Sequence, residues 1–95
     1  MDCSGFRFSR HEIERIFQRG IPPDAVEHVV GKGELIASYP DDTPIESVLL
    51  LGRHAGRPVH VLVARDARAK LCYVVTVYHP DPMLWSDNFE TRRQA

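Results

Sequence analysis

Three residues near the start of the chain, His11, Arg15 and Arg19, recur at a spacing of four. On a helix turning about 100° per residue, that spacing puts them in one stripe. Ile13, Ile16 and Phe17 cluster on the other side and are expected to dock the helix on a sheet. One titratable and two cationic groups in a row can grip phosphates or an acidic partner. The same stripe can also be a solvated edge balanced by Glu12 and Glu14, where each helical pair contributes about 0.2–0.5 kcal/mol.

A second set lies late in the chain. His60 sits in the apolar run Pro58-Val59-His60-Val61-Leu62-Val63, and strand alternation turns it away from Val59 and Val61. If Ala67-Arg68-Ala69 form the hairpin loop, His60 faces Thr76, Pro58 faces Tyr78, and His60, Thr76 and Tyr78 share a face. A loop of two or four residues breaks this register. Together with arginines, such a set suits metal-independent cleavage of RNA through its own 2′-hydroxyl. His60 or His11 would act as base, Arg15 would stabilise charge on the phosphorane, and Tyr78 would orient or protonate the leaving oxygen. Arg19, Arg57 and Thr76 would bind substrate, with Arg92 and Arg93 adding to the same basic patch.

Other chemistries find no support. The chain lacks GxSxG, HExxH, GxxxxGK[ST] and GxGxxG patterns. No cysteine–histidine spacing suits zinc, so neither metal nor cofactor is expected. Asp41 and Asp42 follow Pro40 and read as turn residues. His28, near Asp24 on the second helix, reads as a surface residue, and His54 and His79 have no ligand set beside them. Trp85, the only tryptophan, is expected to plug a core edge.

The elements that must position these groups follow in order. Gly5 to Phe8 is a brief extended stretch. Ser9, three residues before Glu12, matches a capping box opening a helix that runs to about Arg19, where Gly20 stops it. Pro22-Pro23-Asp24 opens a second helix, which Gly31 and Gly33 end. Leu35–Tyr39, Ser47–His54, Val59–Arg65 and Leu71–Tyr78 read as four strands joined by short loops, an antiparallel meander. A tail from about Leu84 to Arg93 has the makings of a short helix. The expected fold is α+β: two N-terminal helices packed on a four-stranded antiparallel sheet, with an ordered core over about residues 6–90.

Ninety-five residues make one domain of 10.8 kDa. No apolar run is long enough to cross a bilayer, and the cytoplasm is the expected compartment. Twelve basic against thirteen acidic residues leave a net charge of −1, too little to drive non-specific adhesion to nucleic acid. The charge is uneven: residues 1–47 carry net −4 and residues 48–95 net +3. Ten of the twelve basic residues are arginine, the side chain whose planar fork fits phosphate and carboxylate. Cys3 and Cys72 are distant and single. Cys72 is expected to be a buried thiol and Cys3 to be exposed or disordered, and the pair gives no support for disulfide or thiol chemistry.

Taken together, these residues resemble a bacterial family of unknown function, DUF4258. The likeness rests on Phe8-Ser9-Arg10-His11, Arg15, Arg19-Gly20-Ile21, Gly33-Glu34 and Tyr39-Pro40-Asp41-Asp42. It continues through Leu50-Leu51-Gly52, Arg57-Pro58-Val59-His60-Val61 and Thr76-Val77-Tyr78-His79-Pro80-Asp81, then Trp85 and Arg92-Arg93. His79 is a departure, since an acidic or small residue usually follows the tyrosine. The resemblance implies a RelE/ParE-like toxin fold and a place in a bacterial toxin–antitoxin pair, with an antitoxin protein and RNA as partners. Two functions follow as expectations. One is a toxin-type ribonuclease built on the residues above. The other is a non-catalytic protein-binding module that holds an acidic segment on the same face.

Overall fold

The structure is a computed structural model that describes residues 1–93. Ser9 caps α1 (Arg10–Gln18), its Oγ accepting the Glu12 N–H at 3.0 Å. Gly20, at φ 68°, then turns the chain so that the Ile21 N–H reaches the Ile16 carbonyl at 2.9 Å. Pro23 begins α2 (Pro23–Lys32). That helix runs through Gly31, which was expected to help end it. Gly33 does end it, for a reason of space: a Cβ there would lie 2.3 Å from the Val29 carbonyl oxygen and 2.8 Å from that of Leu51.

The strands are β1 (Gly5–Phe8), β2 (Glu34–Tyr39), β3 (Ser47–His54), β4 (Arg57–Asp66) and β5 (Leu71–Tyr78), in the sheet order β1-β5-β4-β3-β2. β2 to β5 form the expected antiparallel meander. The four-stranded, wholly antiparallel sheet is corrected by β1, which pairs with β5 in parallel and makes a five-stranded mixed sheet. A four-residue stretch carries no local sign of its distant partner. What selects the pairing is the open outer edge of β5, whose backbone groups need partners.

That pairing overturns a second expectation. With Phe6 opposite Cys72, Cys3 comes within bonding distance, and the two cysteines form a disulfide with Cα atoms 5.8 Å apart. Cys72 is fully buried, as expected, but it is not a free thiol. The Ser4 N–H to the Lys70 carbonyl (2.7 Å) and Arg65 Nε to the Asp2 carbonyl (2.6 Å) secure the same segment.

Ile16, Val26, Val29 and Val30 of the helices pack on Leu50, Val59, Val61, Val63 and Val77 of the sheet. α1 is rotated from its expected setting. Glu12 and Ile16 face inward, while Ile13 (47% exposed) and Phe17 (86%) face solvent. The opposite sheet face carries Leu49, His60, Leu62, Thr76 and Tyr78. There the expected C-terminal helix is absent: residues 79–93 form a strap of turns, pinned by a bridge between Trp85 and Arg92. Among the described residues no helix is long and apolar enough to cross a membrane.

Candidate functional site

The β4–β5 loop has four residues, not three, so the hairpin starts with Asp66 opposite Leu71. Alone, that shift would turn Tyr78 to the wrong face. A bulge between Leu62 and Val63 shifts the register once more, giving Leu62 opposite Thr76 and His60 opposite Tyr78. The direct partner of His60 is therefore Tyr78 instead of Thr76, and the three residues still share a face.

His60 is fully buried. Its Nε2 lies 2.8 Å from the Phe89 carbonyl oxygen, and its Nδ1 lies 3.2 Å from the Tyr78 hydroxyl. A carbonyl oxygen can only accept, so the neutral ring carries its proton on Nε2, and Nδ1 accepts from Tyr78. Trp85 meets the imidazole edge-on at 4.4 Å between centroids, and Arg92 lies over the indole at 5.8 Å. Burial pushes the His60 pKa down, against the pull of the Phe89 carbonyl. Burial pushes Tyr78 up, and nearby Arg92 works the other way. Both ring nitrogens are thus in use, and neither meets solvent. With the strap closed, His60 has no lone pair to offer a substrate.

The α1 residues lie across the sheet from this pair. Ile16 packs in the same cluster as Val61 and Val77, which point away from His60 and Tyr78. β1 pairs with β5 only as far as Val74, and α1 takes over the edge beyond it. The Val77 N–H donates to Glu12 Oε1 at 2.9 Å, and the Arg19 guanidinium donates to the Val77 carbonyl. Two side chains therefore stand in for the next strand. Arg19, expected to bind substrate, is engaged in holding an edge. His11 and Arg15 are exposed on the outward side of α1, and Arg57 is exposed at the β3–β4 turn.

Arg92 and Arg93 hold the strap together. Arg93 pairs with Asp87 at 2.8 Å and donates to the Pro82 carbonyl at 3.0 Å. The structure thus brings His60, Thr76, Tyr78 and Arg92 to one face, and leaves His11, Arg15 and Arg19 on an element that packs on the other. Glu12 was not among the sequence candidates. Its signal was helical spacing, because it falls one turn before Ile16 on the inward stripe. The Phe89 carbonyl had no signal in any side chain.

Among the described residues no three His, Cys, Asp or Glu side chains converge as a metal site would require. Fold and site define a small α+β domain with helices over one sheet face and an irregular strap over the other. The chain belongs to the family described as Domain of unknown function (DUF4258), which matches residues 8–79. No curated protein and no solved structure matches it. The matched segment holds His60 and Tyr78 but stops before Trp85, Phe89 and Arg92 that cover them, and it leaves out Cys3.

Proposed function

We propose that this protein is a non-catalytic protein-binding module that docks its partner on the outward side of α1. The observation that carries the reading is Phe17, 86% exposed and the most exposed of the large apolar side chains, with Ile13 beside it at 47%. With Ile13, Ile16, Ile21, Pro22 and Pro23 it lines a groove of about 440 Å³. Exposed apolar surface of this kind marks interaction sites. Arg10 shares the helical stripe of Phe17 and lies 3.7 Å from Glu14, the one exposed carboxylate of α1, while His11 and Arg15 fall toward the other side of the helix. The apolar lining selects an occupant with apolar anchors, and Arg10 beside Phe17 favours an acidic residue next to them. An antitoxin is such a partner, in line with the RelE/ParE-like resemblance.

A helical peptide with two leucines one turn apart, flanked by glutamates, tests this. It is expected to bind, and Phe17→Ser is expected to weaken binding about tenfold, or about 1.4 kcal/mol. Equal affinity for a lysine-flanked peptide, or no effect of Phe17→Ser, overturns the reading.

The toxin-type ribonuclease is the alternative. One observation favours it: His60 and Tyr78 are hydrogen-bonded neighbours inside the matched family segment, while their cover lies outside it. It requires the strap to lift. Incubation with a long RNA in EDTA separates the two readings. Intact RNA supports the module, and cleavage lost in both His60→Ala and Arg15→Ala supports the enzyme. Both readings put the protein to work in the cytoplasm, where dithiol reductants meet the Cys3–Cys72 bond.

A further inference from the structure

We infer that the Cys3–Cys72 disulfide is a redox latch: it holds residues 1–8 as an arm along β5, and its reduction by a dithiol lets that arm go. The arm is joined to the domain in a way that permits release. Ser9 directly after it caps α1, so the chain can pivot before Ser9 with the helix intact. β1 is four residues long, lies at the end of the sheet and pairs in parallel, the slightly weaker geometry. Phe6 and Phe8 are only partly buried against the core. Ordering eight residues costs conformational entropy that so short a ladder, the hydrogen bonds at Ser4 and Asp2 and the partly buried Met1, Phe6 and Phe8 do not match. The covalent bond keeps the arm at high effective concentration beside β5, and cutting it removes that advantage.

The two sulfurs are not equivalent. Cys72 is fully buried, whereas Cys3 is partly exposed and lines an open groove of about 710 Å³ with Met1, Phe6 and His28. A dithiol reductant therefore attacks Cys3. Its thiolate forms a mixed disulfide with Cys3 Sγ and expels Cys72 as a thiolate, which takes up a proton. The reductant's second thiol then attacks its own sulfur in the mixed disulfide. Cys3 leaves as a thiol, and the reductant departs oxidised with two electrons transferred. Release bares the outer edge of β5 along Leu71–Val74, a row of backbone groups with no other partner strand.

Hydrogen exchange read by mass spectrometry tests the latch on the intact chain. The oxidised protein, the protein reduced with a phosphine, and Cys3→Ser are compared within the first minutes of labelling, with free thiols titrated in each. The expected result is that residues 4–8 exchange at least tenfold faster in the reduced protein and in Cys3→Ser, while α2, β3 and β4 keep their protection. Two titrated thiols with an unchanged arm overturn the inference. So does loss of protection throughout the domain, which would make the bond a general staple. A bond that stays closed in the folded protein under excess phosphine overturns it as well.

Discussion

The two faces of the sheet are sealed by different means. On the helix face, Val59, Val61 and Val63 alternate along β4 and meet valines and isoleucines of α1 and α2. That contact is non-directional, so many side chains share it and no single one decides it. On the other face the strap has no regular structure. It is placed by a few directed contacts: His60 with the Phe89 carbonyl, Trp85 on the imidazole, Arg92 on the indole, and Arg93 with Asp87. A cover made of burial is robust to single changes, and a cover made of directed contacts is not. The following predictions test that contrast, starting with the one covalent element.

The largest effect is expected at the rim of the helix face. The disulfide spans 69 positions, so opening it frees the unfolded chain by about 4 kcal/mol in the loop-entropy picture. Urea unfolding with and without a phosphine measures this. A loss well below that value is the outcome if the N-terminal segment comes loose in the folded domain once the bond opens, because closing the ring then costs entropy in the folded chain as well as the unfolded one.

Next comes Trp85→Ala, expected to cost about 3 kcal/mol, the low end for removing a large buried aromatic. Its distinctive sign is local: the His60 ring should gain solvent access while the α2–β3 contacts stay protected. Should the Tm barely move, the strap would be an ornament on a domain held by the helix face alone.

The same contrast explains what could be read from the sequence. The meander, both helix starts and the strands Ser47–His54 and Leu71–Tyr78 were legible, because alternation and capping are local signals. β1 was visible as an extended stretch but not as part of the sheet, since its pairing with β5 depends on a distant open edge. The missed disulfide follows from that one omission. At the site, His60 and Tyr78 were rightly placed on one face, though through two register shifts, the longer loop and the bulge, that happened to cancel in parity. The strap was illegible because a backbone carbonyl, a stacked guanidinium and a tight turn leave no periodic trace. Rotation of α1 was misjudged because hydrophobicity placed Phe17 inside, whereas the backbone needs of Val77 drew Glu12 there instead.

That last exchange predicts a smaller, sharper effect. Glu12→Ala strands the buried Val77 N–H and is expected to cost about 2 kcal/mol. Glu12→Gln keeps an acceptor in place and should cost clearly less. Equal losses in the two variants would mean that charge, and not the hydrogen bond at the β5 edge, is what Glu12 supplies.

The smallest effect should come from titrating His60. Its folded-state pKa lies below the ordinary 6.5, so the unfolded chain binds the proton more readily than the folded one. Stability is then full above about 6.5 and declines as pH falls below it. Protonation need not break either hydrogen bond, because the Tyr78 hydroxyl can turn from donor to acceptor. The cost is that of a buried charge near Arg92, with Tyr78 the other titratable group against the ring. Glu34 confuses the raw profile. The neighbouring Glu90 carboxylate raises its pKa, so acid titrates this exposed group as well as the buried ring. The informative quantity is the difference between the protein and His60→Gln, whose amide can donate to Phe89 and accept from Tyr78. Between pH 7.5 and 5.5 the protein should lose stability relative to the variant, and near-UV circular dichroism of Trp85 should change over the same interval. Parallel profiles would show that the ring takes up its proton without cost, and that the strap face is wetter than its closed geometry implies.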